Sequence, residues 1–399
     1  MADFFDYLSL RGDLTFSQDP FNEVDNVILA ELAYGDFTKI KDLENSFLSL
    51  SELYEAYLTL STREDAEDKK SLSKGIKDRP YLTNTASLLA SLLKTKRFEN
   101  LKIGHYKKVI KKDPVVQFTA LTYLLDDVAY VAFGGTDDSF VGWQEDFYFS
   151  YTSGTASQVA AVSYLEEVSK LIGGNFYVGG HSKGGNLAIY AALFADDKIK
   201  DRIDIIWAND SPGFTSDVLE EEGYKKIKDK IILFLPESSV VGLLMNQDVG
   251  EKIILQAREK LFYQHFLLHW QVDGNKFLMT ERLSDDALFV NKALDTWLSE
   301  IEIDKRKEVV DGIFYCLEMT KAKDFADFQE GGLNSLRELL AASKTLPQDQ
   351  YDLIVDLIRK LISNSKDLFF ENVLDSMAQK KASIQEKIEG ALASREKKA

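Results

Sequence analysis

The sequence predicts an α/β fold in which a mostly parallel sheet is flanked by helices, with helical additions before and after it. Two observations carry that prediction. Between about residues 101 and 285, short strand-like runs apolar on both faces alternate with helical stretches. Strands buried on both sides belong in a parallel sheet that helices cover. Outside this zone the apolar spacing is helical. Three regions are therefore expected: 1–100 as a helical cap or flank, 101–285 as the α/β core, and 286–399 as a helical C-terminal region.

In the first region Val27–Leu32 is largely apolar, and Leu50–Leu60 reads as an amphipathic helix. The charged stretch Thr62–Asp78, ahead of Asn84–Lys94, is expected to be a solvated loop or helix edge. The core then reads β-β-β-α-β-α-β-α-β. Lys102–Lys111 and Val116–Leu124 are β-prone arms around the turn dipeptide Asp113-Pro114, and Asp126-Asp127 turns the chain into Val128–Phe133. Ser157–Ile172 carries Val162, Leu165, Val168 and Ile172 on one helical face and ends at Gly173-Gly174. Asn175–Gly179, Ile203–Ala208 and Ile231–Leu235 are short strands, separated by helices over Lys183–Ala195 and Ser216–Lys228. Further on, Leu353, Ile354, Leu357, Ile358 and Leu361 recur at helical spacing, and the tail Ser376–Ala399 reads as a fraying or exposed helix.

Composition narrows the function. With 399 residues, 45% of them hydrophobic, the chain can bury a large core. Its 48 Lys and Arg against 65 Asp and Glu leave a net charge of −17, which disfavours nucleic acid and broad contact with anionic lipid. The single cysteine, Cys316, cannot form an intrachain disulfide, and no Cys/His cluster has metal spacing. The opening MADFFDYLSL lacks a basic segment followed by an apolar one, and no apolar run is long enough to span a bilayer. A soluble, cytoplasmic protein without a transmembrane segment, metal or organic cofactor is expected.

The sharpest signal is Gly180-His181-Ser182-Lys183-Gly184, of the form G-x-S-x-G, with a strand before it and a helix after it. Such a turn is so tight that side chains two before and two after the serine would collide, so both positions are glycine. The serine is left at the C-terminal edge of the sheet, over the positive end of a helix. The Lys183 N–H, one residue past the serine, can donate to an oxyanion. A second donor is expected from Thr136, where the apolar strand of Val131–Thr136 closes on two glycines.

A serine hydroxyl needs a base. In this arrangement the chain order is Ser, then Asp or Glu, then His. Of four histidines, His105 precedes the elbow and His181 sits within it, where it braces the turn. His265 and His269 remain. The acid should follow a strand between Ser182 and the histidine, which leaves Asp210, after Ile203–Ala208, and Glu237, after Ile231–Leu235. The aromatic stretch from Phe140 to Tyr151 offers an acyl-binding wall or lid, or packed core.

Phe133-Gly-Gly-Thr136, Gly142-Trp143-x-x-Asp146 and Gly180-His-Ser-Lys-Gly-Gly-Asn-Leu-Ala188 resemble, in this order, the motifs of the class 3 lipases. A bacterial Mbeg-like family of lipase-like α/β-hydrolases is more similar still, from Asp6-Tyr-Leu-Ser-Leu-Arg-Gly-Asp-Leu-Thr-Phe16 and Phe21-Asn-Glu-Val-Asp25 through Gln264-His265. The resemblance implies the α/β-hydrolase fold and Ser182 as nucleophile. Its Gln-His pair favours His265 over His269, and its N-D-x-P-G-F segment favours Asp210 over Glu237. Two departures stand out. Gly134 replaces the lipase arginine, and Lys183 and Asn186, in place of an apolar and a small residue, suggest a polar pocket rim unsuited to long triglyceride chains.

The expected function is a serine hydrolase cleaving a small or lipid-like carboxylic ester through an acyl-enzyme. An acyltransferase or thioesterase with the same triad, and a non-catalytic lipase-like binding module, are the alternatives.

Overall fold

The computed structural model describes residues 2–67, 84–126, 128–137, 139–259, 261–300, 302–324, 327, 328, 331, 333–348 and 350–352. The chain divides into two compact units, Met1–Ile303 and Asp304–Ala399.

In the first unit eight strands form one sheet in which spatial order equals chain order: β1 (Phe47–Ser49), β2 (Lys102–Lys112), β3 (Val115–Leu125), β4 (Val128–Phe133), β5 (Phe176–His181), β6 (Ile203–Asn209), β7 (Ile231–Pro236) and β8 (Glu251–Leu255). β1 to β4 pair antiparallel, and β4 to β8 pair parallel. The change of sense follows from the connections. Tight turns join β2, β3 and β4, whereas longer crossovers join the strands from β4 onward, and only a crossover returns the chain for a parallel pairing. The two edge strands β1 and β8 carry no sequence signal strong enough to read in advance. The expected α/β fold with a mostly parallel sheet is the observed one, four of the seven pairings being parallel.

Alternate residues of each strand feed opposite faces. Tyr123, Tyr130, Ala132, Trp207 and Phe234 join one buried cluster with residues of α1 (Phe4–Arg11), α2 (Glu23–Leu32), α3 (Leu50–Glu67) and α4 (Thr85–Leu92). Val131, Phe133, Val178, Ile206 and Leu233 join the other with α6 (Ala156–Val168) and α7 (Lys183–Phe194). Between β4 and α6 lies α5 (Phe140–Tyr148), started by Ser139, whose side chain accepts from the Gly142 N–H. The N-terminal helices thus pack on one face of the sheet, where Leu267, Trp270 and Phe277 from the segment after β8 join them.

Within that face, Asn22 caps α2 in a capping box with Asp25. The Asp25 carboxylate also takes Arg97 Nη2 at 2.5 Å, both side chains being fully buried, and the guanidinium stacks 4.3 Å from the Phe16 ring centroid. The helix expected over Ser216–Lys228 is instead two short helices, Ser216–Leu219 and Glu222–Ile227. The break falls at Glu220-Glu221, within a run of three successive glutamates whose like charges repel along a continuous helix.

After β8 the chain forms two short 3₁₀ turns, Leu261–His265 and Leu267–His269, and the unit closes with α8 (Asp285–Glu300). The second unit holds α9 (Ile303–Glu318) from Asp304 onward and α10 (Leu333–Ser343), with Val309, Val310, Phe314, Cys316 and Leu317 buried. The charged stretch Thr62–Asp78 from residue 68 onward, the run Leu353–Leu361 and the tail Ser376–Ala399 lie outside the described residues. Among the described residues no helix is long and apolar enough to cross a membrane.

Candidate active site

β5 ends in Gly180-His181, and α7 begins at Lys183, so Ser182 alone makes the turn. Its backbone has φ 56° and ψ −130°, a conformation that costs a non-glycine residue about 1–3 kcal/mol. The Ser182 N–H donates to Asn209 O at 2.8 Å, which pins the turn to the end of β6. A Cβ on Gly180 would overlap the Gly184 backbone, and one on Gly184 would overlap the Phe133 carbonyl. Only glycine fits at either position.

Asp210 is the first residue past β6, also in the left-handed region at φ 46°. Its carboxylate is fully buried and accepts three hydrogen bonds, from Ser239 Oγ at 2.5 Å, the Gly242 N–H at 3.1 Å and His265 Nδ1 at 2.6 Å. With the carboxylate oxygen as acceptor, Nδ1 of His265 is the donor in this bond and its hydrogen points at Asp210. Glu237 does not share this contact; its carboxylate lies 3.5 Å from Gln264 Nε2. Of the two acids the sequence left open, Asp210 is the one paired with His265. Gln264 itself fastens the loop that carries His265, accepting from the Ser238 N–H at 2.7 Å while its carbonyl accepts from Trp270 Nε1 at 2.9 Å.

The remaining histidines are placed differently. His269 Nδ1 donates to Tyr263 O at 2.7 Å within its own loop. His105 lies on β2 against the Phe47 ring. His181 is buried, and its two nitrogens make opposite bonds. Nε2 lies 2.8 Å from the His265 carbonyl, which can only accept, so Nε2 carries the hydrogen. Nδ1 therefore accepts from the Tyr34 hydroxyl at 2.7 Å. Burial, and then the neighbouring His265, hold the His181 pKa well below the usual histidine value, so the ring stays neutral. Its ring centroid is 4.4 Å from that of His265.

Thr136 follows β4, beside the elbow, and its hydroxyl donates to Asp146 Oδ2 at 2.5 Å. The Lys183 N–H belongs to the first turn of α7, whose amides have no partner within the helix. A Cβ on Gly134 would stand 2.9 Å from Ala33 O and 3.0 Å from Thr119 Cβ, so there is no room for the arginine that lipases carry there.

The expectation of a polar pocket rim is corrected. Lys183 is 1% exposed and Asn186 not at all. The Lys183 ammonium pairs with Glu145 Oε2 at 2.7 Å, and the Asn186 amide donates to the carbonyls of Pro212 and Gly213. Both point inward because α7 packs its first turn against the sheet and α5–α6, so the polar groups meet partners of the same protein. Next to this pair Asp146 is a quarter exposed, though its Oδ1 is sealed. Desolvation pushes its carboxyl up to about 6, against the downward pull of Lys183.

Tyr34, Glu145 and Gln117 were not legible as site residues. Each acts through a partner far away in the chain, and a lone Tyr, Glu or Gln has no motif. In the aromatic stretch, Phe140, Val141 and Phe149 are buried, and Phe147 is exposed. Among the described residues no group of His, Cys, Asp and Glu could hold a metal ion.

Several solved structures are similar to this chain. The native Rhizomucor miehei lipase propeptide complex is 15% identical, over 58% of this chain and 83% of that one, with a TM-score of 0.32. The M37 lipase is 15% identical over 55% and 69%, with a TM-score of 0.33. A triacylglycerol lipase described as having a serine protease triad is 18% identical over 39% and 62%, with a TM-score of 0.27. No curated protein matches the chain. A family model described as Mbeg1-like matches residues 92–315, more than half of the sequence. The chain belongs to the Mbeg1-like family.

Proposed function

We propose that this protein is a serine hydrolase that cleaves a carboxylic ester with an acyl arm. The observation that carries the reading is the 2.6 Å contact between Asp210 and His265 Nδ1, with the His265 carbonyl held at 2.8 Å by His181, the residue before Ser182 in a strained elbow. In this reading His265 Nε2 takes the Ser182 proton as Oγ attacks the ester carbonyl. The N–H groups of Thr136 and Lys183 receive the oxyanion, a contribution of roughly 3 kcal/mol per donor. His265 then passes the proton to the departing alkoxide, and an acyl-serine remains. Water attacks that ester with the same base, restoring Ser182 and releasing the acid. Asp210 keeps the ring in one tautomer and stabilises the imidazolium.

The burial of Lys183 and Asn186 removes the sequence-based objection to long acyl chains. The exposed Phe147, on the helix α5 that follows the oxyanion segment, is a candidate apolar contact for an acyl arm. A fluorophosphonate probe tests the reading. The native chain should label at Ser182, and Ser182→Ala should not. A native chain that stays unlabelled where a known esterase labels would overturn it.

A further inference from the structure

Behind the elbow lies a buried polar cluster that takes no part in the proton transfers above. Its centre is the Lys183 ammonium, 2.7 Å from Glu145 Oε2, 3.2 Å from Gln117 Oε1 and 3.6 Å from Asp146 Oδ1. Each of those partners has a second hold. Gln117 Nε2 donates to Gly135 O at 3.2 Å, and Asp146 Oδ2 accepts from Thr136 Oγ1 at 2.5 Å. Glu145 accepts from the Gln117 N–H and the Ser157 N–H, each at 2.8 Å, and so joins β3 to the start of α6. Two of the three links from the ammonium therefore end on the pair Gly135-Thr136.

Burying an ammonium and a carboxylate this deeply is expensive, and an apolar residue of similar size would commonly be as stable or more so. What an apolar residue lacks is direction. A buried network of directed hydrogen bonds and ion pairs holds the groups it joins in one arrangement. Here the joined groups are the two sides of the oxyanion site.

We propose that Lys183 is a positioning residue that holds the two oxyanion donors in fixed relation to each other. Its own N–H is one donor. Its ammonium, through Gln117 and Asp146, anchors the Gly135-Thr136 segment that carries the other. The inference rests on the serine-hydrolase reading and adds to it a side chain whose charge acts on transition-state geometry without touching the substrate.

The test uses the full-length protein with a short p-nitrophenyl ester, Ser182→Ala as the blank, and a fluorophosphonate to count competent serines. Lys183→Met, of similar length and uncharged, should lower kcat per titrated serine about 10- to 100-fold, since donors held loosely are partly lost donors. KM should stay within about twofold, because an interaction made only in the transition state moves kcat alone. The rate constant of phosphonylation should fall in parallel, as the phosphonate oxygen uses the same donors. Gln117→Met leaves the Lys183–Glu145 ion pair intact and removes the bridge from the ammonium to Gly135, and it should lower kcat in the same manner by a smaller factor. A Lys183→Met protein that loses thermal stability yet keeps kcat per titrated serine within twofold of native would overturn the proposal. Should Lys183→Met not fold, native kcat in Gln117→Met would overturn it instead. A native chain that neither labels nor turns over removes the hydrolase reading itself, an outcome distinct from either.

Discussion

Asp210 Oδ2 lies 2.6 Å from His265 Nδ1 across 55 residues of chain, and each partner is also held from its other side. Ser239 Oγ and the Gly242 N–H fix the carboxylate, and His181 Nε2 fixes the His265 carbonyl. The contact therefore joins two loops whose positions are already determined, one after β6 and one after β8.

Asp210→Asn should lower kcat/KM for an activated ester by a factor of about 10⁴, because an amide at this position favours the wrong imidazole tautomer. Glu237→Gln should stay within about threefold of native, its carboxylate touching Gln264 and not His265. Initial rates on the two purified variants decide between the acids. A larger loss in Glu237→Gln would exchange their roles.

Tyr34→Phe removes the hydroxyl that keeps the His181 proton on Nε2. The ring can then turn over its tautomers and release the His265 carbonyl, and kcat is expected to fall about 5- to 10-fold, the scale of one buried hydrogen bond. His181 also bears on stability. Its folded pKa is depressed, so below the ordinary value of 6.5 the unfolded chain binds a proton that the folded chain does not. Stability from this group is present above that pH and is lost as pH falls, at about 1.4 kcal/mol per pH unit. Thermal melts between pH 7 and 5 should show a shallower decline for His181→Gln than for the native chain.

Asp146 has the opposite sign. Its folded pKa is raised from 3.8 to about 6, so between these values the unfolded chain gives up a proton that the folded chain retains. Stability from this group falls as pH rises from about 4 to about 6 and is level above. The Tm of Asp146→Asn relative to native should climb over that interval and then flatten. A constant difference across pH 4 to 8 would show that Asp146 titrates normally.

Arg97→Met strands the Asp25 carboxylate in a site with no solvent, where Arg97 supplies two of its hydrogen bonds. The expected loss is about 3–5 kcal/mol in urea unfolding, the usual cost of breaking a buried pair from one side. Asp19, whose ion pair with Arg11 is partly exposed, makes the control: Arg11→Met should cost no more than about 1 kcal/mol.

Local pattern was enough for the elements that carry a period or a punctuating residue. The strands β2 to β7 show as β-prone runs between turns, and the elbow shows because Gly180 and Gly184 are steric necessities written into five consecutive letters. Chain order reduced four histidines to two, and position after a strand favoured Asp210 and Glu237 among the acids. Short edges such as Phe47–Ser49 left no trace, since three residues hold no period. Nor did the sequence tell a buried lysine from an exposed one. Lys183 looks like a rim residue by type, and its burial depends on Glu145, Gln117 and Asp146 arriving from α5 and β3. Tyr34 reaches His181 across 147 residues, and Asn26 reaches Asn209 across 183. Steric demands between neighbours in the chain are encoded where they act, so the sequence alone determined the elbow and the strands around it. Hydrogen bonds and ion pairs join whichever groups the packed sheet brings together, so only the tertiary structure decided which acid meets His265 and which charge lies beneath the elbow.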